Sequence, residues 1–87
     1  MADAEDTAIA VLAWLAGEPE LLGRFLALTG LEAGNLRAAA GEPGFLAGVL
    51  EFLMNHEPTL VDFCAASGTR PEEIARAFRA LGGGDAA

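Results

Sequence analysis

The 87-residue chain lacks tyrosine and lysine, and it has one cysteine, one tryptophan and one histidine. The single cysteine, Cys64, cannot form an internal disulfide, which fits a reducing compartment and predicts a cytoplasmic protein. β-Branched residues are few, whereas Ala and Leu are abundant. This balance favours helix over strand, because unbranched side chains lose little rotamer freedom in a helix. A hydrophobic fraction of 53% excludes a disordered chain.

Long apolar runs are also missing. The longest covers residues 8–16, which is too short to span a bilayer, since a span needs about 20 residues. Asp3, Glu5 and Asp6 occupy the region where a secretory signal would carry basic residues. We therefore expect neither a membrane span nor a secretory signal.

Positive charge is scarce, with five arginines against thirteen acidic residues and a net charge of −8. Such a charge repels nucleic-acid phosphates and anionic lipid surfaces. The composition therefore disfavours nucleic-acid and membrane partners. It leaves protein partners, including a second copy of the chain as a homodimer.

Residues able to perform catalysis are equally scarce. Cys64 and His56 are the only candidates for a nucleophile and its base, and we expect a core thiol and a histidine at the end of the fourth helix. His56, Glu57 and Asp62 mix histidine with acids, but their spacing matches no standard zinc pattern. No glycine-rich phosphate loop follows a strand. We therefore predict no catalytic residue, no metal, no cofactor and no enzymatic activity.

What the chain does have is a segment that occurs twice, at residues 25–39 and 63–77, with a constant offset of 38. The matching pairs are Phe25 with Phe63, Ala27 with Ala65, Gly30 with Gly68, and Leu36 with Ile74. Each copy reads as a helix, a glycine stop, a short turn and a second helix. The repeat predicts two similar helical hairpins with Phe25 and Phe63 at equivalent core positions.

Glycine and proline punctuate the sequence and predict six helices. We expect these helices at residues 6–16, 19–28, 32–40, 43–54, 58–67 and 69–81. The sixth begins with a capping-box pattern, in which Thr69 and Glu72 each satisfy a backbone N–H. The chain then forms a single helical domain over 6–82, with mobile termini at 1–5 and 83–87.

The apolar pattern orders the helices by burial. The fourth helix is apolar around nearly its whole circumference, with Glu51 as its lone charge, so it should be central. Gly44 and Gly48 on that helix predict close packing inside the fold. The first helix is also apolar all round, and so small a domain offers it little cover. The expected fold is therefore an all-α compact bundle of about six short helices, with two similar hairpins around a central apolar helix.

Two candidate functions follow. Excess apolar surface favours a small non-enzymatic module that self-associates, with Trp14 of the first helix as a candidate partner contact. The alternative is a helix-turn-helix nucleic-acid binder, because the sixth helix carries Arg70, Arg76 and Arg79 after a glycine turn. Glu72 and Glu73 count against it, since they occupy the end of that helix from which base contacts usually come.

Arg24 is the remaining candidate, because it lies on an otherwise apolar second helix. It fits an ion pair with Glu20, four residues earlier. It also fits a partner contact at the rim of a hydrophobic surface. The sequence favours the ion pair and leaves the partner contact open.

The run 22–31, followed by Leu36-Arg37, Phe45-Leu46, Val49-Leu50, Phe52-Leu53 and the Pro71-Glu72 helix start, resembles a small bacterial family. That family is domain of unknown function 3572, and the resemblance covers about residues 8–82. Residues 23–26, Gly-Arg-Phe-Leu, are its most specific part. The resemblance implies a compact all-helical domain, and it implies no activity and no functional residues.

Overall fold

A computed structural model describes residues 3–82 of the chain, apart from the side chains of Ala33 and Pro43. This range holds six α-helices and no strand, which confirms the predicted all-α class. The helices are α1 (Ala4–Ala16), α2 (Pro19–Thr29), α3 (Leu36–Ala39), α4 (Pro43–Met54), α5 (Glu57–Ser67) and α6 (Pro71–Ala80). A 3₁₀ turn, Ala33–Asn35, leads into α3.

The helix starts follow from proline and acidic residues. Proline lies in the first turn of α2, α4, α5 and α6, where its missing N–H leaves no intrahelical bond unmade. In α1 the Asp3 carboxylate accepts a hydrogen bond from the Asp6 N–H at 2.9 Å. Residues 4 and 5, which we expected to precede α1, therefore form its first turn. The remaining residues of the predicted mobile termini, 1–2 and 83–87, lie outside the described residues.

α2 and α5 end in the same geometry. Gly30 and Gly68 have φ angles of 74° and 78°, a left-handed conformation that costs an L side chain steric strain. Their N–H groups donate to the carbonyls of Leu26 and Cys64 at 2.8 and 2.9 Å. Each glycine thus stops its helix and turns the chain toward the next element.

The residue before each glycine makes the same hydrogen bonds in both helices. Thr29 Oγ1 donates to the Phe25 carbonyl at 3.0 Å, and Ser67 Oγ donates to the Phe63 carbonyl at 2.8 Å. Each hydroxyl also accepts the N–H two residues further along, at 3.3 and 3.2 Å. Both phenylalanines are buried, at 1% and 2% exposure. The predicted equivalence of Phe25 and Phe63 is confirmed.

α4 is the central helix, as its apolar circumference predicts. It packs against α1, α5 and α6. It contributes more buried side chains than any other helix in the described range; these are Leu46, Ala47, Val49, Leu50 and Leu53. Val11 and Leu15 of α1 and Ile74 of α6 complete the core around it.

One boundary near α5 differs from the prediction, because α5 begins at Glu57, one residue before the predicted start. α4 ends at Met54, and Asn55 is its C-cap, so His56 lies beyond α4 and is the N-cap of α5. His56 thus follows the end of α4, as predicted, and it also serves as the N-cap of α5, a role that the sequence did not indicate. The backbone of His56 is extended, at φ −135° and ψ 96°, so α4 and α5 are separated by two residues, Asn55 and His56.

α6 begins at Pro71, two residues later than predicted. Its N-cap is Arg70, whose N–H donates to the Glu73 carboxylate at 3.4 Å. The predicted capping box of Thr69 and Glu72 is thus displaced by one residue. The reason is Pro71, whose ring disfavours a helical backbone in the residue before it. Arg70 is accordingly extended, and the helix starts at the proline.

Candidate interaction surface

Three large apolar side chains of the described residues are exposed on the surface. Leu28 on α2 is 74% exposed, Val61 on α5 is 55% exposed and Ile9 on α1 is 43% exposed. Single exposed apolar residues are common on soluble proteins. Only Leu28 lies on the lip of a groove with aromatic walls, so its surroundings distinguish it from the other two.

The α2–α4 groove is a depression of about 260 Å³ between these two helices, and its lining includes Phe25, Leu28, Gly48, Glu51 and Phe52. Phe25 holds the helices apart, because its ring lies edge-on to Phe52 at 5.3 Å and to Phe45 at 5.7 Å between centroids. A helix spaced from its neighbour by aromatic rings leaves a gap wherever the neighbour has no side chain.

Gly48 is the position on α4 without a side chain at that gap. A Cβ atom placed on Gly48 would meet no other heavy atom within 4 Å outside its own helix backbone, and the same holds at Gly44. The predicted close packing of Gly44 and Gly48 inside the fold is therefore wrong. Gly44 is exposed, whereas Gly48 opens the floor of the α2–α4 groove.

Trp14 is half-buried, and its ring packs edge-on against Phe63 at 5.5 Å between centroids. It belongs to the side chains that cover the core, so it offers only part of its surface to a partner. The exposed face of α1 instead carries Ile9 with three alanines, Ala10, Ala13 and Ala16. After the first turn, where Glu5 and Asp6 are exposed, this face is apolar, but it is formed mainly by small side chains and has no groove among the described depressions.

Arg24 is exposed on α2, and it lies one helical turn before Leu28, about 6 Å along the axis. None of the side-chain hydrogen bonds within residues 3–82 involves its guanidinium. None of those bonds joins Arg24 to Glu20, the ion-pair partner that the sequence favours. Arg24 is also the only basic residue in α1, α2, α4 and α5.

The three arginines of the alternative, Arg70, Arg76 and Arg79, are exposed. Arg70 precedes α6, whereas Arg76 and Arg79 lie within it. Glu72 and Glu73 are exposed in the first turn of the same helix. Arg76 lines a shallow depression between α1 and α6 together with Asp3 and Glu73. The basic residues of α6 therefore share their surface with acids.

Cys64 and His56 do not form a pair. His56 is the N-cap of α5 and Cys64 is its eighth residue, so they are about 12 Å apart along the helix axis. His56 Nδ1 lies 2.6 Å from the hydroxyl of Thr59. Burial, and then the charges of Glu72 and Glu73, raise the pKa of the Cys64 thiol. Each of these causes disfavours the thiolate, which is the reactive form of cysteine.

Between residues 3 and 82 there is no group of three His, Cys, Asp or Glu side chains placed to hold a metal ion. His56 shares a depression with Glu18, Glu20 and Asp62 between the starts of α2 and α5. Within the same range, no helix combines the length and the apolar character that crossing a membrane requires.

Sequence reasoning missed Leu28, Gly48 and Glu51 as members of one surface. Leu28 is one of many leucines on an amphipathic helix, and such residues are usually core. One signal was present in the sequence, because Arg24 four residues earlier places a charge on the same side of α2 as Leu28.

Comparison with known families agrees with the resemblance found in the sequence. The chain belongs to the family described as protein of unknown function (DUF3572), whose model matches residues 1–84. No curated protein and no solved structure matches the chain. The description of the family names no activity.

Proposed function

We propose that this domain is a small non-enzymatic interaction module that acts by self-association in the cytoplasm. The observation that carries the proposal is Leu28, a large apolar side chain at 74% exposure on the lip of an aromatic groove. Exposed apolar residues that adjoin a recess are typical of protein interaction sites. The single cysteine of the chain supports a reducing compartment.

The chemistry of the two candidate catalytic residues supports a non-enzymatic role. A nucleophilic cysteine needs a lowered pKa and a base within hydrogen-bond reach. The Cys64 pKa is shifted in the opposite direction, and His56 stands at the far end of α5 with its Nδ1 on Thr59.

Self-association is tested by sedimentation equilibrium on the full 87-residue chain. We expect the weight-average mass to rise from 8.9 kDa toward twice that value as loading goes from about 1 µM to about 1 mM. A mass that stays at 8.9 kDa over the whole range contradicts the proposal.

The helix-turn-helix function is the second candidate, supported by the exposure of Arg70, Arg76 and Arg79 after the Gly68 turn. Its test is fluorescence anisotropy with a labelled DNA duplex at low salt, where phosphate contacts are strongest. The matched variants are the double substitution R76A/R79A on α6 and R37A on α3. Binding by the wild type that R76A/R79A abolishes and R37A leaves intact supports this candidate. No binding by the wild type removes it.

A further inference from the structure

The α2–α4 groove combines three features that bear on its occupant. Its walls are aromatic, its floor is open at Gly48, and its lining carries one carboxylate, Glu51. At about 260 Å³, the groove is at or below the small end of ordinary ligand sites, which run from about 300 to 1,000 Å³. An aliphatic side chain beside a positive charge is the chemistry that complements such a groove.

The chain itself presents that chemistry. Leu28 is the most exposed large apolar side chain of the described residues. Arg24, one turn away, is the only basic residue on the four helices α1, α2, α4 and α5. The apolar side chain and the cation therefore lie on the same helix that forms one wall of the groove.

The net charge limits which surface of the chain can contact a second copy. Two chains of charge −8 repel each other over most of their surfaces. Arg24 lies on α2 one turn before Leu28, and Glu51 lies in the groove lining on α4, so opposite charges stand on the two helices that border the groove. A two-fold dimer uses the same patch on both copies, so the patch must be complementary to itself. An arginine and a glutamate on opposite sides of an apolar groove meet that condition.

We propose that the α2–α4 groove is the self-association surface and that a second copy of the chain occupies it. This inference rests on the proposed self-association and specifies its site. Leu28 of each copy packs over the groove of the other, and Arg24 of each copy faces Glu51 of the other. An interface built on one groove is at the small end of specific interfaces, so the expected Kd is in the range of about 10–100 µM.

The first experiment compares two exposed apolar residues by sedimentation equilibrium. Leu28→Asn removes an apolar side chain from both halves of the proposed interface, so the dimer Kd should rise by about 10- to 100-fold. Val61→Asn is the matched control on α5 and should leave the Kd unchanged. Circular dichroism and urea unfolding verify that both variants are folded, which their exposure in the monomer makes the expected result.

The second experiment exchanges charges across the interface. R24E and E51R alone should each weaken the homodimer, because each places like charges opposite one another. An equimolar mixture of the R24E and E51R chains should form a heterodimer, in which both contacts pair opposite charges. A merely structural role of either residue would not make the mixture associate more tightly than its components.

The third experiment separates groove filling from helix stability. Gly48→Ala adds a methyl group to the groove floor, and Gly23→Ala adds one on the outer side of α2. Both positions are helical with open space around the new atom, so both substitutions should raise the urea midpoint of the monomer. Only Gly48→Ala should also weaken association.

The outcomes distinguish the site from the function. A wild-type chain that remains monomeric overturns both proposals. A wild-type dimer that Leu28→Asn, the charge exchange and Gly48→Ala leave unaffected overturns the groove and keeps self-association. If Val61→Asn dissociates the dimer while Leu28→Asn does not, the interface lies on α5.

Discussion

The two helical hairpins of this domain share one geometry up to the glycine and diverge after it. α2 and α5 each have eleven residues and a buried phenylalanine. Both end at a left-handed glycine, preceded by a hydroxyl residue that bonds the carbonyl four residues back. Past the glycine, α3 has four residues and follows a 3₁₀ turn, whereas α6 has ten residues.

The residues that follow each glycine account for this difference. Gly34 and Asn35 in the first hairpin correspond to Glu72 and Glu73 in the second. Glycine and asparagine disfavour helix, whereas glutamate in a first turn complements the helix dipole and caps the backbone. The comparison teaches that the glycine-closed turn is a separable unit, and that the length of the next helix is decided by its own first residues.

The two phenylalanines also differ in their neighbours. Phe25 lies edge-on to two rings, Phe45 and Phe52 on α4, whereas Phe63 lies edge-on to one ring, Trp14 on α1. The first hairpin therefore stands against α4 through aromatic rings and leaves the α2–α4 groove open. The proposed interaction surface is thus a consequence of the way the first hairpin is packed.

The largest expected effect tests the two phenylalanines. Phe25→Ala and Phe63→Ala should each cost about 3–5 kcal/mol of unfolding free energy, because each leaves a cavity in the core. Phe25→Ala should cost about 1 kcal/mol more, since it loses two ring contacts and Phe63→Ala loses one. Urea unfolding followed by circular dichroism measures both.

The loss of unfolding free energy in either alanine variant can exceed the total stability of so small a domain. In that case Phe25→Leu and Phe63→Leu, which lose less stability, show whether position 25 is still the more sensitive of the two. A loss below about 1 kcal/mol at either alanine variant contradicts the equivalence of the two core positions.

The second prediction concerns the two glycines. Gly30→Ala and Gly68→Ala should each cost about 1–2 kcal/mol, because a left-handed backbone strains an L side chain. Neither position has another heavy atom within 4 Å of an added Cβ, so the cost is conformational and should be similar at both. Gly23→Ala in the middle of α2 is the control and should stabilise the domain by about 0.5–1 kcal/mol. Unequal losses of unfolding free energy at Gly30 and Gly68 would contradict the shared geometry of the ends of α2 and α5.

Much of this fold could be predicted from local pattern. Proline and glycine positions indicated six helices, and the apolar circumference of α4 indicated its central place. These signals are local, because a helix start, a helix stop and a buried face each depend on a few neighbouring residues.

The short α3 and the groove could not be predicted in the same way. A helix of four residues gains few hydrogen bonds against the cost of nucleation, so packing decides whether it forms. The exposure of Leu28 depends on the distance between α2 and α4, which the ring of Phe25 sets. That distance is a property of the packed domain, and a single helix pattern does not contain it.

The third prediction concerns the two hydroxyls. Thr29→Ala and Ser67→Ala should each cost about 0.5 kcal/mol, because a hydrogen bond of about 1 kcal/mol is lost and alanine regains part of it through helix propensity. The two losses should agree, since the bond lengths are alike at 3.0 and 2.8 Å. Urea midpoints of the two variants measure this, and a clear gain in stability at one site alone would contradict the shared geometry.

The smallest effect concerns reactivity and contrasts Glu72 and Glu73 of the second hairpin with Gly34 and Asn35, the equivalent residues of the first. Burial raises the pKa of Cys64, and Glu72 and Glu73 raise it further. A raised pKa lowers the thiolate fraction at a given pH, so iodoacetamide at pH 8 should alkylate native Cys64 more slowly than a free thiol. E72Q/E73Q should speed alkylation without reaching the free-thiol rate, because burial remains. E32Q in the first hairpin is the control and should change nothing.

Moving the cysteine to the equivalent position of the first hairpin tests the contribution of Glu72 and Glu73 separately from that of burial. Leu26 occupies the position equivalent to Cys64 and is also half-buried, but Gly34 and Asn35 replace the two glutamates there. In an L26C/C64A chain the thiol keeps the burial and loses both acidic neighbours. Its alkylation should therefore begin at lower pH than that of Cys64 in the wild type. Identical pH profiles at the two positions would mean that burial alone sets the pKa, and that the acids of α6 do not reach the thiol.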